Sequence, residues 1–288
     1  MDTTRREAVQ VGGMTFDVVF GGPDGAPDDG ATPVLLLHGF PQSASCWGTV
    51  SARLHAAGLR TIAPDQRGYS PGARPSAVED YETPHLVGDV IGLLDALGLE
   101  RVHLVGHDWG AAVAWHVAIR HPDRLATLTA VSVPHPAAFG RALREDADQQ
   151  ERSTYIQLFR QPGKAEELLL EDGARRLRAM YGDAVPAGQI EEHVRLLSEP
   201  GALTAALNWY RAMTAHRTSD VAGDDAVRVP TTYVWSTDDM ALGRTGAEEC
   251  GRHVTGPYRF AVLEGVTHWV PEQAPEELAE LIVERAAG

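Results

Sequence analysis

The residues with the clearest chemical meaning lie at positions 102–110, which read VHLVGHDWG. The short apolar run Val102–Val105 leads to Asp108, which stands between Gly106 and Gly110, and a run of small residues follows. This pattern predicts a strand, a sharp turn and a helix, with one reactive side chain at the apex of the turn. A carboxylate held there can attack a saturated carbon and form an ester whose carbonyl group belongs to the enzyme.

A carboxylate nucleophile needs three further groups: a base that activates water against the ester, an acid that orients the base, and donors that stabilise an oxyanion. His268, in the run GVTHW, lies between the last predicted strand and the final predicted helix, which makes it the candidate base. Asp238 and Asp239 follow the predicted strand Tyr233–Trp235, and both qualify as the orienting acid. The chain thus carries a nucleophile, an acid and a histidine in that order.

The elements that must position these residues alternate between strands and helices. Gly12-Gly13 divides an alternating apolar pattern that predicts an opening β-hairpin. Continuous apolar runs predict buried strands at Pro33–His38, Leu59–Ala63 and Leu125–Val133. Between them, Leu86, Val90, Leu93, Leu94 and Leu97 recur at helical spacing, and Gly98 is a suitable C-terminal cap. The alternation predicts an α/β fold with a mostly parallel central sheet.

The pattern changes between about Pro136 and Arg228, where strand signals disappear and charge density rises. We interpret this part as a helical cap inserted after the sixth strand. The segments that predict its helices are Lys164–Met180, Gln189–Leu197 and Gly201–Ala215. Strand character returns at Thr231–Trp235 and Tyr258–Leu263, and the last helix is predicted from Pro275. We therefore expect a core of residues 1–135 and 229–288, with a cap of residues 136–228.

Composition places limits on the class of protein. The 288 residues carry a formal net charge of −15 at pH 7, which argues against nucleic-acid and anionic-membrane partners because both bind clustered Lys and Arg. Cys46 and Cys250 are far apart and lack metal-ligand spacing, so two reduced thiols are expected. The opening MDTTRREAVQ has no apolar core, and no run approaches the ~20 apolar residues of a membrane helix. We predict a cytoplasmic protein.

The strand, glycine-flanked turn and helix around Asp108 resemble the nucleophile turn of the α/β-hydrolase fold, whose usual pattern is G-x-S-x-G. Serine at that position suggests acyl transfer, whereas the carboxylate here suggests alkyl transfer. In that fold the nucleophile, the acid and the histidine follow one another in the order found here. The resemblance also implies an oxyanion hole formed by the backbone N–H groups of Trp109 and Phe40, since Pro41 has no N–H.

Over nearly its whole length the chain is similar to the epoxide hydrolase branch of that superfamily. The stretches that carry the resemblance are HGFP at 38–41, GHDWG at 106–110, the loop around Asp239, THWVPE at 267–272, YIQLFRQP at 155–162 and LNWYR at 207–211. The match in spacing favours Asp239 over Asp238 as the orienting acid. The turn at 68–72 departs from the family pattern. Because it lies outside the catalytic residues, this departure concerns the assignment to a subfamily rather than the mechanism.

The resemblance gives two tyrosines of the cap a role. Tyr155 and Tyr210 occupy the positions of a family pair whose hydroxyls point at the epoxide oxygen. Two neutral phenols can hydrogen-bond the oxygen on which charge develops as the ring opens, and can then supply a proton. Phe40, Trp109 and Trp269 border the catalytic positions and are expected to line an apolar substrate pocket.

Other conspicuous residues are interpreted as structural. We expect His38 and His107 to brace loops, Asp65 and Arg67 to hold a turn, and Trp47, Trp115 and Trp235 to lie in the core. His116 and His121 are expected to be exposed on or just past a helix.

The sequence therefore predicts an epoxide hydrolase that converts a small-molecule epoxide to a vicinal diol through an ester on Asp108. Neither a metal nor an organic cofactor is expected, since the chain has no H-E-x-x-H, G-x-G-x-x-G or Walker A pattern. A homodimer is possible.

Two alternatives remain. A haloalkane dehalogenase would share Asp108, Trp109 and the remaining triad, but it needs a second side-chain N–H donor for halide, which Phe40 cannot supply. The fluoroacetate enzymes of that group would have arginine where Trp109 stands. A non-catalytic ligand-binding protein on the same scaffold is the third possibility.

Overall fold

A computed structural model describes residues 3–23, 31–213 and 225–288 of the chain. Eight strands of these residues form one sheet: β1 Thr3–Val11, β2 Met14–Gly22, β3 Val34–Leu37, β4 Thr61–Pro64, β5 Val102–His107, β6 Leu125–Val131, β7 Thr231–Asp238 and β8 Tyr258–Thr267. Their order across the sheet is β1-β2-β4-β3-β5-β6-β7-β8. Only β1 with β2 and β2 with β4 pair antiparallel, so the predicted mostly parallel sheet is confirmed.

The central strands are the apolar runs of the sequence. Every residue of β3 and of β5 is buried, as expected of strands that carry helices on both faces. The two strands run parallel in register, with Leu35 opposite Leu104 and Leu37 opposite Gly106. Strand β6 ends two residues earlier than the sequence suggests, because Ser132 takes a φ of 69°, which no strand residue adopts.

Twelve α-helices flank the sheet or connect its strands in the described residues: α1 Gly48–Ala56, α2 Thr83–Ala96, α3 Trp109–Arg120, α4 Pro136–Glu145, α5 Ala147–Arg152, α6 Tyr155–Phe159, α7 Lys164–Ala179, α8 Ala187–Leu197, α9 Ala202–Ala212, α10 Arg244–Glu249, α11 Val270–Gln273 and α12 Pro275–Ala287. The amphipathic helix α2 ends before Gly98, whose φ is +65°. Helix α12 begins at Pro275 as predicted. Trp47, Trp115 and Trp235 are buried in the core.

Helices α4 to α9 all lie between β6 and β7 in the chain. Helix α7 differs from the prediction of one continuous helix, because Glu171 is extended and Asp172, Gly173 and Ala174 take left-handed angles. Gly173 favours such a break, since glycine gives the least support to a helix interior. The predicted helix Gly201–Ala215 ends at Ala212, and its last two residues lie outside the described ranges.

Two further observations concern the chain as a whole. Cys46 and Cys250 are both buried and free, as predicted. Within the described ranges, every helix is too short or too polar to cross a lipid bilayer.

Parallel pairing brings three chain segments to one edge of the sheet. Strands β5, β6, β7 and β8 are consecutive neighbours that run in the same direction. Asp108 follows β5, Asp239 follows β7, and His268 follows β8. The carboxyl edge of a parallel sheet is where such folds place their ligand sites.

Candidate active site

Asp108 stands at a sharp turn between β5 and α3, with φ 53° and ψ −121°. This backbone conformation is strained for a residue with a side chain. The glycines on either side allow it, since a Cβ at Gly106 would lie 2.3 Å from the carbonyl oxygen of Gly110. A Cβ at Gly110 would lie 2.1 Å from the carbonyl oxygen of Leu37. Only hydrogen fits at both positions, which explains the G-x-D-x-G spacing.

His268 lies between two carboxylates. Its Nδ1 is 2.9 Å from Oδ2 of Asp239, and its Nε2 is 3.6 Å from Oδ2 of Asp108. Oδ1 of Asp239 accepts hydrogen bonds from the amides of Ala241 and Leu242, at 2.8 and 3.0 Å. These bonds fix the carboxylate that holds the imidazole.

The neighbouring acid takes no part in this arrangement. Asp238 is the last residue of β7, and its side chain is exposed and accepts a 3.3 Å hydrogen bond from the Thr237 hydroxyl. Of the two acids that the sequence offered, the structure places Asp239 against His268.

The electrostatics favour a charged triad in the resting state. Burial of the ring lowers the pKa of His268, but the charges and hydrogen bonds of Asp239 and Asp108 outweigh burial and raise it to about 10. Burial raises the pKa of Asp239, but His268 and the two backbone amides bring it below its ordinary value. The raised pKa of His268 thus favours its protonated form beside the side chains of Asp239 and Asp108.

The predicted oxyanion donors lie close to Asp108. The amide of Phe40 donates a 2.8 Å hydrogen bond to Oδ1 of Asp108. Trp109 is the first residue of α3, and the first amides of a helix have no partner within the helix. The Phe40 amide is therefore placed to stabilise a negative oxygen at the Oδ1 position, and the Trp109 amide follows Asp108 directly in the chain.

Tyr155 and Tyr210 come together from separate helices, α6 and α9. Their ring centroids are 6.1 Å apart, and Tyr210 also packs edge-on against Trp109 at 5.1 Å and Phe40 at 5.4 Å. Burial, and the nearby negative charge of Asp108, raise the pKa of both phenols above the usual value. Both side chains are therefore neutral hydrogen-bond donors at physiological pH.

A cavity of about 320 Å³ joins these groups. Asp108, Trp109, Tyr155 and Tyr210 all line it, and most of its remaining described lining is apolar. Phe40 and Trp269, which the sequence suggested as pocket residues, do not appear in its wall. Trp269 instead packs edge-on against His268, with ring centroids 5.2 Å apart, and in a tilted arrangement against Tyr181 at 5.1 Å. Its contact is therefore with the imidazole rather than with the cavity.

Several residues hold the site in place, as the sequence suggested. Nε2 of His107 is 2.8 Å from the carbonyl oxygen of His268, and its Nδ1 is 3.0 Å from Oε1 of Gln42. Nε2 of His38 accepts a 3.1 Å hydrogen bond from the amide of Gln66. Because Nε2 of His107 must donate to a carbonyl oxygen, the ring ties the loop that carries His268 to the turn that carries Asp108.

The turn at 64–70 is also held by its polar residues. Arg67 forms two 2.6 Å hydrogen bonds with the carboxylate of Asp89. Asp65 accepts a 2.8 Å hydrogen bond from the amide of Ala44. The structural roles predicted for Asp65 and Arg67 are confirmed.

The expectation for His116 and His121 is wrong, because both side chains are half-buried. His116 lines the cavity together with Arg120 from the same helix and Glu82 from the residue before α2. Sequence reasoning missed these three cavity residues. Residues between Trp109 and Arg120 that recur at intervals of three and four lie on one face of a helix, and this spacing was the signal available in the sequence. In the part of the chain that the structure describes, no group of three or more His, Cys, Asp or Glu side chains could hold a metal ion.

Comparison with known proteins adds the family context. Residues 32–275 match a family described as the alpha/beta hydrolase fold. The whole chain is similar to Epoxide hydrolase A of Mycobacterium tuberculosis, with 34% identity over 99% of that protein. It is also 34% identical to the AB hydrolase superfamily protein YfhM of Bacillus subtilis, over 99% of this chain and 98% of that protein. The crystal structure of Epoxide Hydrolase A from Mycobacterium thermoresistibile superposes with a TM-score of 0.85 and 30% identity, and 99% of each chain is covered.

Proposed function

The chain belongs to the alpha/beta hydrolase fold family, in its epoxide hydrolase branch, and from this premise we propose that it opens epoxides through an ester on Asp108. Its activity is the hydrolysis of an epoxide, an ether-bond hydrolysis. The observation that carries the proposed mechanism is that Asp108, Tyr155 and Tyr210 face one largely apolar cavity. A nucleophile and two neutral donors in one largely apolar cavity suit the opening of a neutral, strained ring.

In the first step, one carboxylate oxygen of Asp108 attacks a ring carbon, and the bond from that carbon to the epoxide oxygen breaks. We assign the attack to Oδ2, because Oδ1 is already held by the amide of Phe40. The hydroxyls of Tyr155 and Tyr210 stabilise the departing oxygen, and one of them gives it a proton. The products are a hydroxyalkyl ester on Asp108 and a tyrosinate.

In the second step, Nε2 of His268 removes a proton from water, and the hydroxide formed attacks Cγ of Asp108. The negative oxygen of the tetrahedral intermediate is Oδ1, which the amides of Phe40 and Trp109 stabilise. Cleavage of the ester bond releases the diol with a proton from the imidazolium. For this cycle to close, the imidazolium of the resting state first gives its proton to the tyrosinate, which leaves His268 free to act as the base. The carboxyl proton that remains after ester cleavage returns to His268, so the net reaction is addition of one water molecule to the epoxide.

The change of charge on Asp108 couples the two steps. In the resting protein the negative Asp108 contributes to the pKa of about 10 for His268. Esterification removes that negative charge, whereas burial, which lowers the pKa, remains. The pKa of His268 therefore falls once the ester has formed, and the imidazole becomes a base only when there is an ester to hydrolyse.

The experiment that tests this mechanism combines product analysis with trapping of the ester. The protein is expected to form a vicinal diol from terminal epoxides, and Asp108→Ala is expected to abolish it. In His268→Gln the first step proceeds and the second stalls, so the intact mass rises by the whole mass of the epoxide. His121→Gln serves as the matched control and forms no adduct. A folded His268→Gln protein that binds epoxide without the added mass would overturn the mechanism.

A dehalogenase is less well supported by the cavity. Halide release needs two N–H donors near the nucleophile, and Trp109 is the one indole among the described residues that line the cavity. Those lining residues include no asparagine. Paired tyrosine hydroxyls suit an oxygen that gains a proton better than a halide, which leaves without one.

Three further statements remain proposals. We propose that residues 136–228, of which 214–224 lie outside the described residues, form a cap. The contribution of Tyr155 and Tyr210 to the same cavity as Asp108 supports this proposal. A cytoplasmic location is supported by the two free, buried cysteines, and cell fractionation tests it. A homodimer stays a prediction that light scattering tests.

A further inference from the structure

The cavity extends from Asp108 along one face of α3. The residues that α3 contributes are Trp109, Ala112, Val113, His116 and Arg120, whose spacing of three and four places them on one side of a helix. Since an α-helix rises about 1.5 Å per residue, the backbone of His116 lies about 12 Å along the axis from Asp108. Asp108 thus lies directly before the start of α3, and two polar side chains, His116 and Arg120, line the cavity further along the helix.

The cavity wall contributed by other elements is mostly apolar. Its members include Leu86, Val133, Phe139, Ile156 and Leu242. A substrate that fills this space gains by burying apolar groups against them. Polar groups on the substrate need partners, because an unpaired polar group loses its hydrogen bonds to water on binding.

His116 offers one such partner. Its Nδ1 is buried without a hydrogen-bond partner in the described part of the chain. A neutral imidazole has one protonated and one unprotonated nitrogen. A buried N–H without a partner is rare and costly, so the favoured tautomer has its proton on Nε2.

The charge state supports a donor role for the same nitrogen. Burial, with a smaller contribution from the charge of Arg120, lowers the pKa of His116 to about 4, so the ring is neutral at physiological pH. Of the two ring nitrogens of His116, only Nδ1 is buried without a partner in the described residues. The ring itself borders the cavity. The Nε2–H is the one N–H donor that the neutral ring can offer to a ligand in the cavity.

The charges around His116 indicate the kind of acceptor. Arg120 is exposed, and Glu82 brings a carboxylate to the same cavity. A negative substrate group would meet attraction from the first and repulsion from the second. A neutral oxygen avoids this conflict and suits a single N–H donor.

We infer that His116 is a specificity-determining residue that binds a neutral acceptor oxygen, such as an ether or a carbonyl, in the tail of the substrate. This inference rests on the proposed function and names its substrate class. The substrates are terminal epoxides whose apolar substituent carries a hydrogen-bond acceptor roughly 10 Å from the attacked carbon, a distance set by the rise of α3 between Asp108 and His116. Epoxides with the same chain but no acceptor leave the donor of His116 unpaired.

The test is a series of straight-chain terminal epoxides of equal length, in which one methylene is replaced by oxygen at successive positions. The all-carbon epoxide is the reference, and kcat/KM is measured for each. In the wild type, one position of the oxygen is expected to give about tenfold higher kcat/KM than its neighbours, the effect of one hydrogen bond. His116→Leu is expected to remove this maximum, and His116→Gln, which keeps a donor, to retain part of it.

The controls separate this inference from the mechanism. His121→Leu, outside the cavity lining, keeps the maximum, and melting temperatures show whether each variant is folded. Equal kcat/KM at every oxygen position in the wild type overturns the inference alone, since epoxide hydrolysis would still be observed. A maximum that survives in His116→Leu but is lost in Arg120→Gln also overturns it. No hydrolysis of any epoxide by the wild type would overturn the proposed function itself.

Discussion

The amide of Phe40 donates a 2.8 Å hydrogen bond to Oδ1 of Asp108, although 68 positions separate the two residues. Pairing of β3 with β5 makes this contact possible, since Phe40 follows β3 and Asp108 follows β5. The bond distinguishes the two carboxylate oxygens before any substrate binds. In the proposed mechanism Oδ1 becomes the carbonyl oxygen of the ester, and Oδ2, on the side of His268, makes the attack.

The close approach of the turn before Phe40 to Asp108 predicts that Gly39→Ala loses most of its activity. A Cβ at Gly39 would lie 2.2 Å from Oδ1 of Asp108 and 2.4 Å from its Cβ, so the nucleophile must move. We expect diol formation to fall at least about 100-fold, because a displacement near 1 Å misaligns the attack. The matched control is Gly48→Ala, where a Cβ meets no atom within 4 Å. Comparable activities of the two variants would contradict the prediction.

Replacement of aspartate by asparagine is expected to impair catalysis at Asp239 but not at the adjacent Asp238. Asp239→Asn loses the charge that raises the pKa of His268 and favours the wrong tautomer. We expect ester hydrolysis to slow about 10³-fold or more, so that the adduct on Asp108 accumulates with substrate. Asp238→Asn changes an exposed side chain and is expected to stay within about twofold of the wild type. Intact mass and steady-state diol formation measure both variants.

The paired phenols predict partial redundancy in ring opening. Tyr155→Phe and Tyr210→Phe each leave one hydroxyl at the epoxide oxygen, so we expect kcat/KM to fall about 10- to 100-fold in each. The double variant is expected to lose more than either alone, with the loss in alkylation rather than in ester hydrolysis. Tyr258→Phe, on β8, is the control. Single-turnover kinetics with accumulation of ester in Tyr155→Phe would contradict this assignment.

The buried carboxyl group of Glu272 is expected to make the free energy of unfolding depend on pH. Burial raises its pKa to about 8, although a hydrogen bond from Gln42 opposes the shift, and its Oε2 is buried without a partner in the described residues. Because the folded state holds this proton more tightly than the unfolded state, protonation of Glu272 stabilises the fold. This contribution to the free energy of unfolding is complete below about pH 4.5 and is lost as pH rises through 8.

Glu272→Gln is therefore expected to be more stable than the wild type above pH 8, by about 1–3 kcal/mol in the free energy of unfolding. The difference should shrink toward pH 5. Urea unfolding of both proteins across this range measures it, with Glu276→Gln, an exposed residue of α12, as control. A constant difference between wild type and Glu272→Gln at all pH values would exclude titration of Glu272 as the cause.

Much of the fold follows from local patterns. The apolar runs at β3 and β5, the helical spacing of α2 and the position of Pro275 each predicted an element that the structure contains. Patterns of this kind work because burial on one or two faces has a fixed period in a helix or a strand. The break in α7 and the early end of β6 depend on single residues in left-handed conformations, which periodicity does not detect.

The site was predicted unevenly, for a related reason. Spacing around Gly106 and Gly110 indicated a reactive Asp108, because the glycines have a local steric role. The position of Trp269 and the burial of His116 depend on elements distant in the chain. Trp269 was expected beside the substrate, yet it packs on His268 and Tyr181. His268 is the immediate neighbour of Trp269, but nothing near Trp269 in the sequence specifies its contact with the distant Tyr181.

By itself, the sequence determined that a carboxylate stands at a glycine-flanked turn, and that further acids and a histidine follow it in that order. These features depend on residue type and on neighbours along the chain. Only the tertiary structure decided that Asp239 rather than Asp238 meets His268, and that His116 faces the cavity rather than solvent. Those outcomes depend on which strands pair and on how loops at the carboxyl edge turn. Distances between remote residues are set by that packing, which no local pattern encodes.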